Sequence, residues 1–187
     1  MSRPSIDYET QNSMFDVIKS GWLSQGKKTR KFENNLSEYL SSKVVVVNSG
    51  TSALTAALSA HGIKPGDKVV VPSFTFIATS SAAKILGANI LVADVDAETL
   101  NISPDSIEKI VKEHNDVKAV IIVDIAGQPV DLEPIIELSK RYNFILIEDA
   151  AQAIGSEYKN KKIGSFKHTS CFSFTIAKIM TTIEGGC

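Results

Sequence analysis

The chain has 187 residues, of which 43% are hydrophobic and 22% are charged, and its formal net charge is −1. This profile is typical of one soluble globular domain, and the balanced charge gives no overall attraction to nucleic acid or to an anionic membrane. No apolar run approaches the roughly 20 residues that span a bilayer, and the N-terminus, MSRPSIDYET, lacks the apolar core of a signal peptide. We therefore expect a cytoplasmic protein. The two cysteines indicate neither a disulfide framework nor a zinc site.

The predicted elements begin with a helical segment, residues 1–43, which contains helices at residues 5–20 and 32–40. Residues 44–187 form a predicted α/β core. Its strands are expected at residues 44–47, 68–71, 90–93, 119–123, 144–147 and 171–174. Helices are expected between them at residues 52–61, 77–86, 105–112 and 132–142.

Most of the predicted strands are continuous apolar runs, which is typical of parallel strands that are covered on both faces. Their alternation with helices predicts an α/β fold with a three-layer, doubly wound, mostly parallel sheet. In such a sheet, ligands bind beyond the carboxyl ends of the strands. Functional residues are therefore expected in polar clusters that directly follow a predicted strand.

The first cluster is residues 48–52, with the sequence NSGTS, where Thr51 and Ser52 open a helix. Free backbone N–H groups and hydroxyls at a helix start bind anions, and phosphate is the natural candidate. The alternative is a plain helix cap formed by serine or threonine. The glycine-rich patterns of dinucleotide and nucleoside-triphosphate sites do not occur.

Two further clusters follow the next apolar strands. Phe74 and Phe76 end one strand, and Phe76 is a candidate stacking platform for a ligand ring; the alternative is that these rings belong to the core. Glu148 and Asp149 end another strand and should point to opposite sides, so only one faces a ligand. That carboxylate can neutralise a cationic ring nitrogen, bind a metal or contact a sugar hydroxyl; the alternative is a helix cap.

The last cluster surrounds Lys178, which lies among Ile176, Ala177, Ile179 and Met180. Partial desolvation lowers the pKa of a lysine, and the neutral amine then attacks carbonyl carbon. The alternative is a surface lysine with its ammonium in solvent. The three histidines have no spacing that suggests a metal, so we expect no metal site; they are His61, His114 and His168.

The order of these clusters resembles that of the DegT-type sugar-nucleotide aminotransferases, which are pyridoxal-phosphate enzymes of fold type I. The motifs that carry the resemblance extend over nearly the whole chain: 21-GWLSQG-26, 47-VNSGTSALTAAL-58, 65-PGDKVVVPSFTFIATSSAA-83, 127-GQPVDL-132, 147-IEDAAQAIGS-156 and the final segment. So many motifs in one order are far more specific than any single motif. The resemblance implies the large domain of a PLP-dependent transferase, with pyridoxal 5'-phosphate as its cofactor.

The resemblance also implies a role for individual residues. Lys178 matches the Schiff-base lysine, and Asp149 matches the carboxylate that pairs with the pyridine nitrogen. The other cofactor contacts are carried over for the phosphate (Thr51, Ser52 and Ser173), the face of the ring (Phe76) and the ring hydroxyl (Gln152). The implied reaction moves an amino group from an amino acid, usually glutamate, to a nucleotide-linked keto sugar. In the family, two subunits build each active site, so a homodimer is expected.

Two departures from the family pattern accompany this resemblance. Ile183 stands where relatives have a glycine, which predicts an altered backbone near Lys178. The chain is also about half as long as the family leads us to expect, so we expect a truncated large domain without its seventh, antiparallel strand and without the C-terminal small domain. The alternative to a working aminotransferase is therefore an inactive fragment that serves as a structural or dimerisation module. A third reading is a domain that binds another phosphorylated ligand through residues 48–52.

Overall fold

The computed structural model describes residues 4–187. Within this range the α-helices are Tyr8–Ser20 (α1), Lys27–Leu40 (α2), Gly50–Ala60 (α3), Ala78–Ile85 (α4), Pro104–Glu113 (α5) and Leu132–Tyr142 (α6). The strands are Lys68–Pro72 (β1), Asn89–Ala93 (β2), Val117–Val123 (β3), Ile145–Asp149 (β4), Glu157–Tyr158 (β5), Lys161–Lys162 (β6) and Thr169–Cys171 (β7). No helix in this range is long and apolar enough to cross a bilayer.

Five strands form one sheet in the order β2-β1-β3-β4-β7, and every neighbouring pair in it is parallel. Strands β5 and β6 form a separate antiparallel hairpin. The pairing of β3 with β4 places Val123 beside Asp149. Since the strands of the main sheet run in the same direction, their carboxyl ends meet at one edge, and this confirms the predicted mostly parallel α/β sheet.

Helices cover both faces of this sheet. One apolar cluster joins β3 and β4 to α2, α5 and α6, and a second joins the opposite face to α3 and α4. The central strand β3 shows why the sheet is buried on both sides, because its neighbours Ile121 and Ile122 point into different clusters and are both 0% exposed. The three-layer arrangement is therefore confirmed. The division of the chain at residue 43 stays a prediction.

The first predicted strand, at residues 44–47, was wrong. Only Val47 pairs, through an antiparallel bridge with Gly186. Side chains of α2 instead bind the backbone nearby: the N–H of Val44 donates to Ser37 Oγ at 3.1 Å, and the N–H of Val46 donates to Glu33 Oε1 at 3.0 Å. Because a side chain already satisfies these donors, the segment has less to gain from a sheet ladder than its apolar sequence suggests.

The last predicted strand is displaced, since β7 ends at Cys171 rather than at residue 174. Beyond it, residues 172–174 pair with residues 185–187, with bonds from Phe172 N to Cys187 O and from Phe174 N to Gly185 O, both at 2.8 Å. Gly186 bridges both Val47 and residue 173 in antiparallel fashion. The gap that was expected beside the last strand is therefore partly filled by residues 185–187, and the lack of the seventh, antiparallel strand stays a prediction.

Candidate functional site

The amino end of α3 has the geometry of an anion site. Ser49 has an extended backbone, and its Oγ accepts the N–H of Ser52 at 3.1 Å, so the predicted helix cap is present. Within the described residues, the N–H groups of Gly50 and Thr51 have no hydrogen-bond partner. The helix cap and the anion site are therefore compatible, because the cap leaves the N–H groups of Gly50 and Thr51 free to bind an anion.

Ser173 lies against this helix start. A Cβ atom built on Gly50 would lie 2.8 Å from Ser173 Cβ, and one built on Gly186 would lie 2.5 Å from the carbonyl carbon of Ser49. These approaches require glycine at both positions. The structure therefore brings Ser173 against Gly50 at the start of α3, the helix that also contains Thr51 and Ser52. The role of these three hydroxyls in binding a phosphate stays a prediction.

Asp149 is buried at the carboxyl end of β4, where it is 6% exposed. Its Oδ2 accepts the hydroxyl of Thr79 at 2.7 Å, and its Oδ1 accepts the N–H of Ala151 at 3.2 Å. Burial raises the pKa of Asp149, while these two hydrogen bonds and the positive charge of Lys178 act to lower it. No helix begins at Asp149, so the alternative of a helix cap was wrong.

Sequence reasoning missed Thr79, which is 0% exposed in α4. A signal was available, because Thr79 lies three and four residues before Ala82 and Ala83, and all three form the buried face of α4. A hydroxyl on such a face needs a buried partner. That partner is Asp149, 70 residues away in the chain.

Glu148 points away from Asp149, as the alternation of strand side chains predicted. It is 0% exposed, accepts the hydroxyl of Ser170, and lies 3.3 Å from Nε2 of His168. Its other oxygen, Oε1, has no hydrogen-bond partner among the described residues. The side chain of Glu148 therefore lies on the face of the sheet opposite to that of Asp149 and is not part of the candidate ligand site.

Asp124 is a second buried carboxyl on the same face as Glu148. Glu148 pairs with Ile122 in the sheet, and Asp124 lies two residues beyond Ile122, so the side chains of Asp124 and Glu148 share one face. Burial and the charge of Glu148 raise the pKa of Asp124 to about 8. Asp124 Oδ1 accepts the N–H of Val130 at 2.9 Å, while Oδ2 has no partner among the described residues. The sequence analysis did not find this pair.

Gln152 has a fixed orientation near the end of β4. Its Oε1 accepts the N–H of Ala126 at 2.9 Å. Ala126 has a φ of 54° within a short 3-10 turn, Ile125–Gly127. Since the oxygen of the amide is engaged with an N–H donor, the Nε2 group is available to donate to a ligand.

Phe76 and Phe74 lie in the segment between β1 and α4 and are 71% and 51% exposed, so the reading that placed them in the core was wrong. The carbonyl of Phe76 accepts the N–H of Thr79 at 3.1 Å. This bond ties the backbone of Phe76 to the residue that donates to Asp149. An exposed ring at this position is suited to stack on a planar ligand.

Lys178 lies in a loop, residues 175–184, and is half-buried. Its apolar neighbours do not form a closed pocket, because Ile176 and Ile179 are 48% and 75% exposed. The backbone of Ile183 has a φ of 73°, and the alteration predicted at this position stays a prediction. Such a left-handed conformation suits glycine and is rare for a β-branched residue.

These groups lie at the carboxyl edge of the sheet. The start of α3 and Ser173 offer hydrogen-bond donors to an anion, Asp149 offers a buried negative charge, and Lys178 offers an amine whose charge acts on Asp149. The chain is therefore an α/β protein in which groups suited to an anion, a cation and a carbonyl carbon lie at the edge of the sheet where such folds bind ligands. The chain belongs to the DegT/DnrJ/EryC1/StrS aminotransferase family, whose model matches residues 4–187.

The chain is 42% identical to the UDP-4-amino-4,6-dideoxy-N-acetyl-beta-L-altrosamine transaminase of Campylobacter jejuni, over 99% of this chain and 49% of that protein. It is 41% identical to the GDP-perosamine synthase of Escherichia coli O157:H7, over 98% of this chain and 50% of that protein. The solved PLP form of Spr1654 from Streptococcus pneumoniae matches with a TM-score of 0.92 and 32% identity, over 99% of this chain and 51% of that chain. The chain thus spans about half the length of the curated relatives it matches.

Proposed function

We propose that this chain is the cofactor-binding portion of a PLP-dependent sugar aminotransferase. In this proposal an amino group moves from an amino acid, glutamate in the first instance, to a nucleotide-linked keto sugar. The observation that carries the proposal is the buried carboxylate of Asp149. The positive charge of Lys178 acts to lower the pKa of Asp149, and both residues lie at the edge of the sheet where α3 presents its free N–H groups. A phosphate, a ring nitrogen and a carbonyl on one cofactor match these three groups.

Asp149 and Lys178 each have a defined task in this proposal. Pyridoxal phosphate, when bound, accepts the electron pair that is released when the substrate C–H bond breaks. Asp149 is the carboxylate that holds the ring nitrogen protonated, and a cationic partner of this kind stabilises its buried charge. The Nζ of Lys178 would hold the cofactor at its carbonyl group and, as a free amine, would move a proton at the substrate carbon.

The remaining residues bind and orient the same cofactor. Thr51, Ser52 and Ser173 donate to the phosphate at the positive end of the α3 dipole. Phe76 covers one face of the ring, and the free amide N–H of Gln152 donates to the ring hydroxyl. The relatives support a nucleotide-linked sugar as the acceptor, since two of them are named for the conversion of GDP-linked and UDP-linked sugars.

A second candidate is a non-catalytic module that acts through dimerisation. One feature favours it: α1 has no buried residue, and its apolar side chains Met14, Phe15 and Ile18 are 42%, 58% and 61% exposed. A homodimer that covers this helix fits both candidates, as does a location in the cytoplasm. Only cofactor binding and turnover separate the two candidates.

The test is to incubate the purified chain with pyridoxal phosphate, reduce it with borohydride, and locate the label by peptide mapping. We expect the label on Lys178 in the wild-type chain and in Lys84→Ala, a control for loss of an exposed lysine, and no label at this position in Lys178→Ala. Turnover of glutamate with a GDP-linked or UDP-linked keto sugar is then measured. Folded wild-type chain without a label on Lys178 would sink the proposal. Unchanged binding of pyridoxal phosphate in Lys178→Ala would favour a site for other phosphorylated ligands at residues 48–52.

A further inference from the structure

The loop that carries Lys178 is anchored at one point of the core. Phe174, which precedes the loop, is 0% exposed, and its ring meets that of Phe32 edge to face at 5.4 Å. Its N–H donates at 2.8 Å to the carbonyl of Gly185, which follows the loop. The outgoing arm of the loop, residues 175–180, and the returning arm, residues 181–184, therefore both begin or end beside Phe174. The position of Lys178 depends on the contacts that join these two arms.

Two hydroxyls link the two arms: Thr175 Oγ1 donates to Glu184 Oε1 at 3.2 Å, and Thr181 makes the second link. Thr181 Oγ1 donates to the carbonyl of Phe174 at 3.0 Å and accepts the N–H of Ile183 at 2.9 Å. The carbonyl of Phe174 also accepts the N–H of Thr182 at 2.9 Å. A hydroxyl donates once and accepts at its lone pairs, so Thr181 serves both contacts at the same time.

The backbone of Ile183 requires such support. Its φ of 73° lies in the left-handed region, which is unfavourable for a β-branched residue. Strained conformations of this kind persist only where the surroundings impose them. The side chain of Ile183 is 50% exposed, so core packing does not impose the conformation. The hydrogen bond from its N–H to Thr181 Oγ1, at 2.9 Å, is a contact that can hold this conformation.

We propose that Thr181 is a positioning residue for Lys178: its hydroxyl holds the strained turn at Ile183 and so fixes where the loop presents the amine. This inference rests on the proposed function for the role of the amine. Lys178 lies three residues before Thr181, and its own backbone is held by a bond from its N–H to the carbonyl of Thr175 at 2.9 Å. Without the Thr181 hydroxyl, the N–H of Ile183 loses its acceptor, and the arms are joined by the bond from Thr182 N to the carbonyl of Phe174 and by the bond from Thr175 to Glu184.

The substitution Thr181→Val tests the proposal because it keeps the shape of the side chain and removes the hydroxyl. In the chain without cofactor, we expect exchange of the amide hydrogens of Lys178 and Thr182 to become roughly tenfold faster, and in the chain with pyridoxal phosphate we expect labelling of Lys178 to become slower by a similar factor. Thr181→Ser keeps the hydroxyl and should behave like the wild type. The double variant Thr181→Val/Ile183→Gly should recover both rates, because glycine needs no support in this conformation.

A matched control in the same loop is Thr182→Val, since the hydroxyl of Thr182 contacts only the carbonyl of Glu184 on its own arm, at 2.9 Å. Wild-type rates in Thr181→Val would overturn the proposal, as would an equal loss in Thr182→Val or a double variant no better than Thr181→Val. If the wild-type chain takes no label on Lys178, the proposed function fails, yet amide exchange in the chain without cofactor still decides whether Thr181 holds the loop. Circular dichroism confirms that each variant is folded.

Discussion

Replacing Asp124 by asparagine should remove a large part of the pH dependence of this protein's stability. Asp124 Oδ2 and Glu148 Oε1 are both buried without a hydrogen-bond partner among the described residues. In Asp124→Asn, the amide oxygen can keep the bond from Val130 N, which is 2.9 Å long. The variant therefore keeps this contact and places no second negative charge on the face of the sheet that carries Glu148.

The magnitude follows from the pKa of Asp124, which is about 8 in the folded chain against 3.8 for the free side chain. The folded state thus keeps a proton that the unfolded state has released. Its contribution to stability is fully present below pH 3.8 and declines as the pH rises towards about 8. In this window each pH unit lowers the free energy of unfolding by about 1.4 kcal/mol, so the change from pH 5 to pH 7 is about 3 kcal/mol.

The assay is urea unfolding of the wild type and of Asp124→Asn at pH 5, 6, 7 and 8, followed by circular dichroism. We expect the stability advantage of the variant to grow by about 3 kcal/mol between pH 5 and pH 7. Asp16→Asn, which removes an exposed carboxyl from α1, controls for the change in net charge and should show no such growth. An advantage of Asp124→Asn that stays constant over this range would refute the retention of a proton by buried Asp124 in the folded chain.

Three further changes test the candidate site through the stability of the chain. Thr79→Val leaves Oδ2 of Asp149 without its donor at 2.7 Å and should lower the free energy of unfolding by about 1–3 kcal/mol in urea titrations; a neutral effect would show that the bond is unimportant. Gly50→Ala places a methyl group 2.8 Å from Ser173 Cβ, so we expect a loss of about 1–3 kcal/mol and weaker binding of pyridoxal phosphate, and unchanged values would contradict the close approach. Ser49→Ala removes the cap of α3 and should cost about 1 kcal/mol, whereas Ser49→Thr, which keeps the hydroxyl, should lose less.

Local sequence patterns were sufficient wherever one element dictates its own structure. The helix predicted at residues 132–142 is observed with the same bounds, Leu132–Tyr142, because its apolar spacing matches one buried helical face. The opposite directions of Glu148 and Asp149 follow from the two-residue period of a strand. The order of motifs along the chain was also sufficient to identify the family, which the match over residues 4–187 confirms.

Only the tertiary structure decided which polar groups find each other. The strand expected at residues 44–47 is absent because α2 supplies Glu33 as an acceptor for Val46, and no local pattern reports that competition. Thr79 meets Asp149 across 70 residues of chain. The conformation of Ile183 likewise opposes its intrinsic preference, since the hydroxyl of Thr181, which is itself bonded to the carbonyl of Phe174, accepts its N–H. Such outcomes depend on the burial of a donor and on the proximity of its acceptor, and both quantities exist only once the chain has folded.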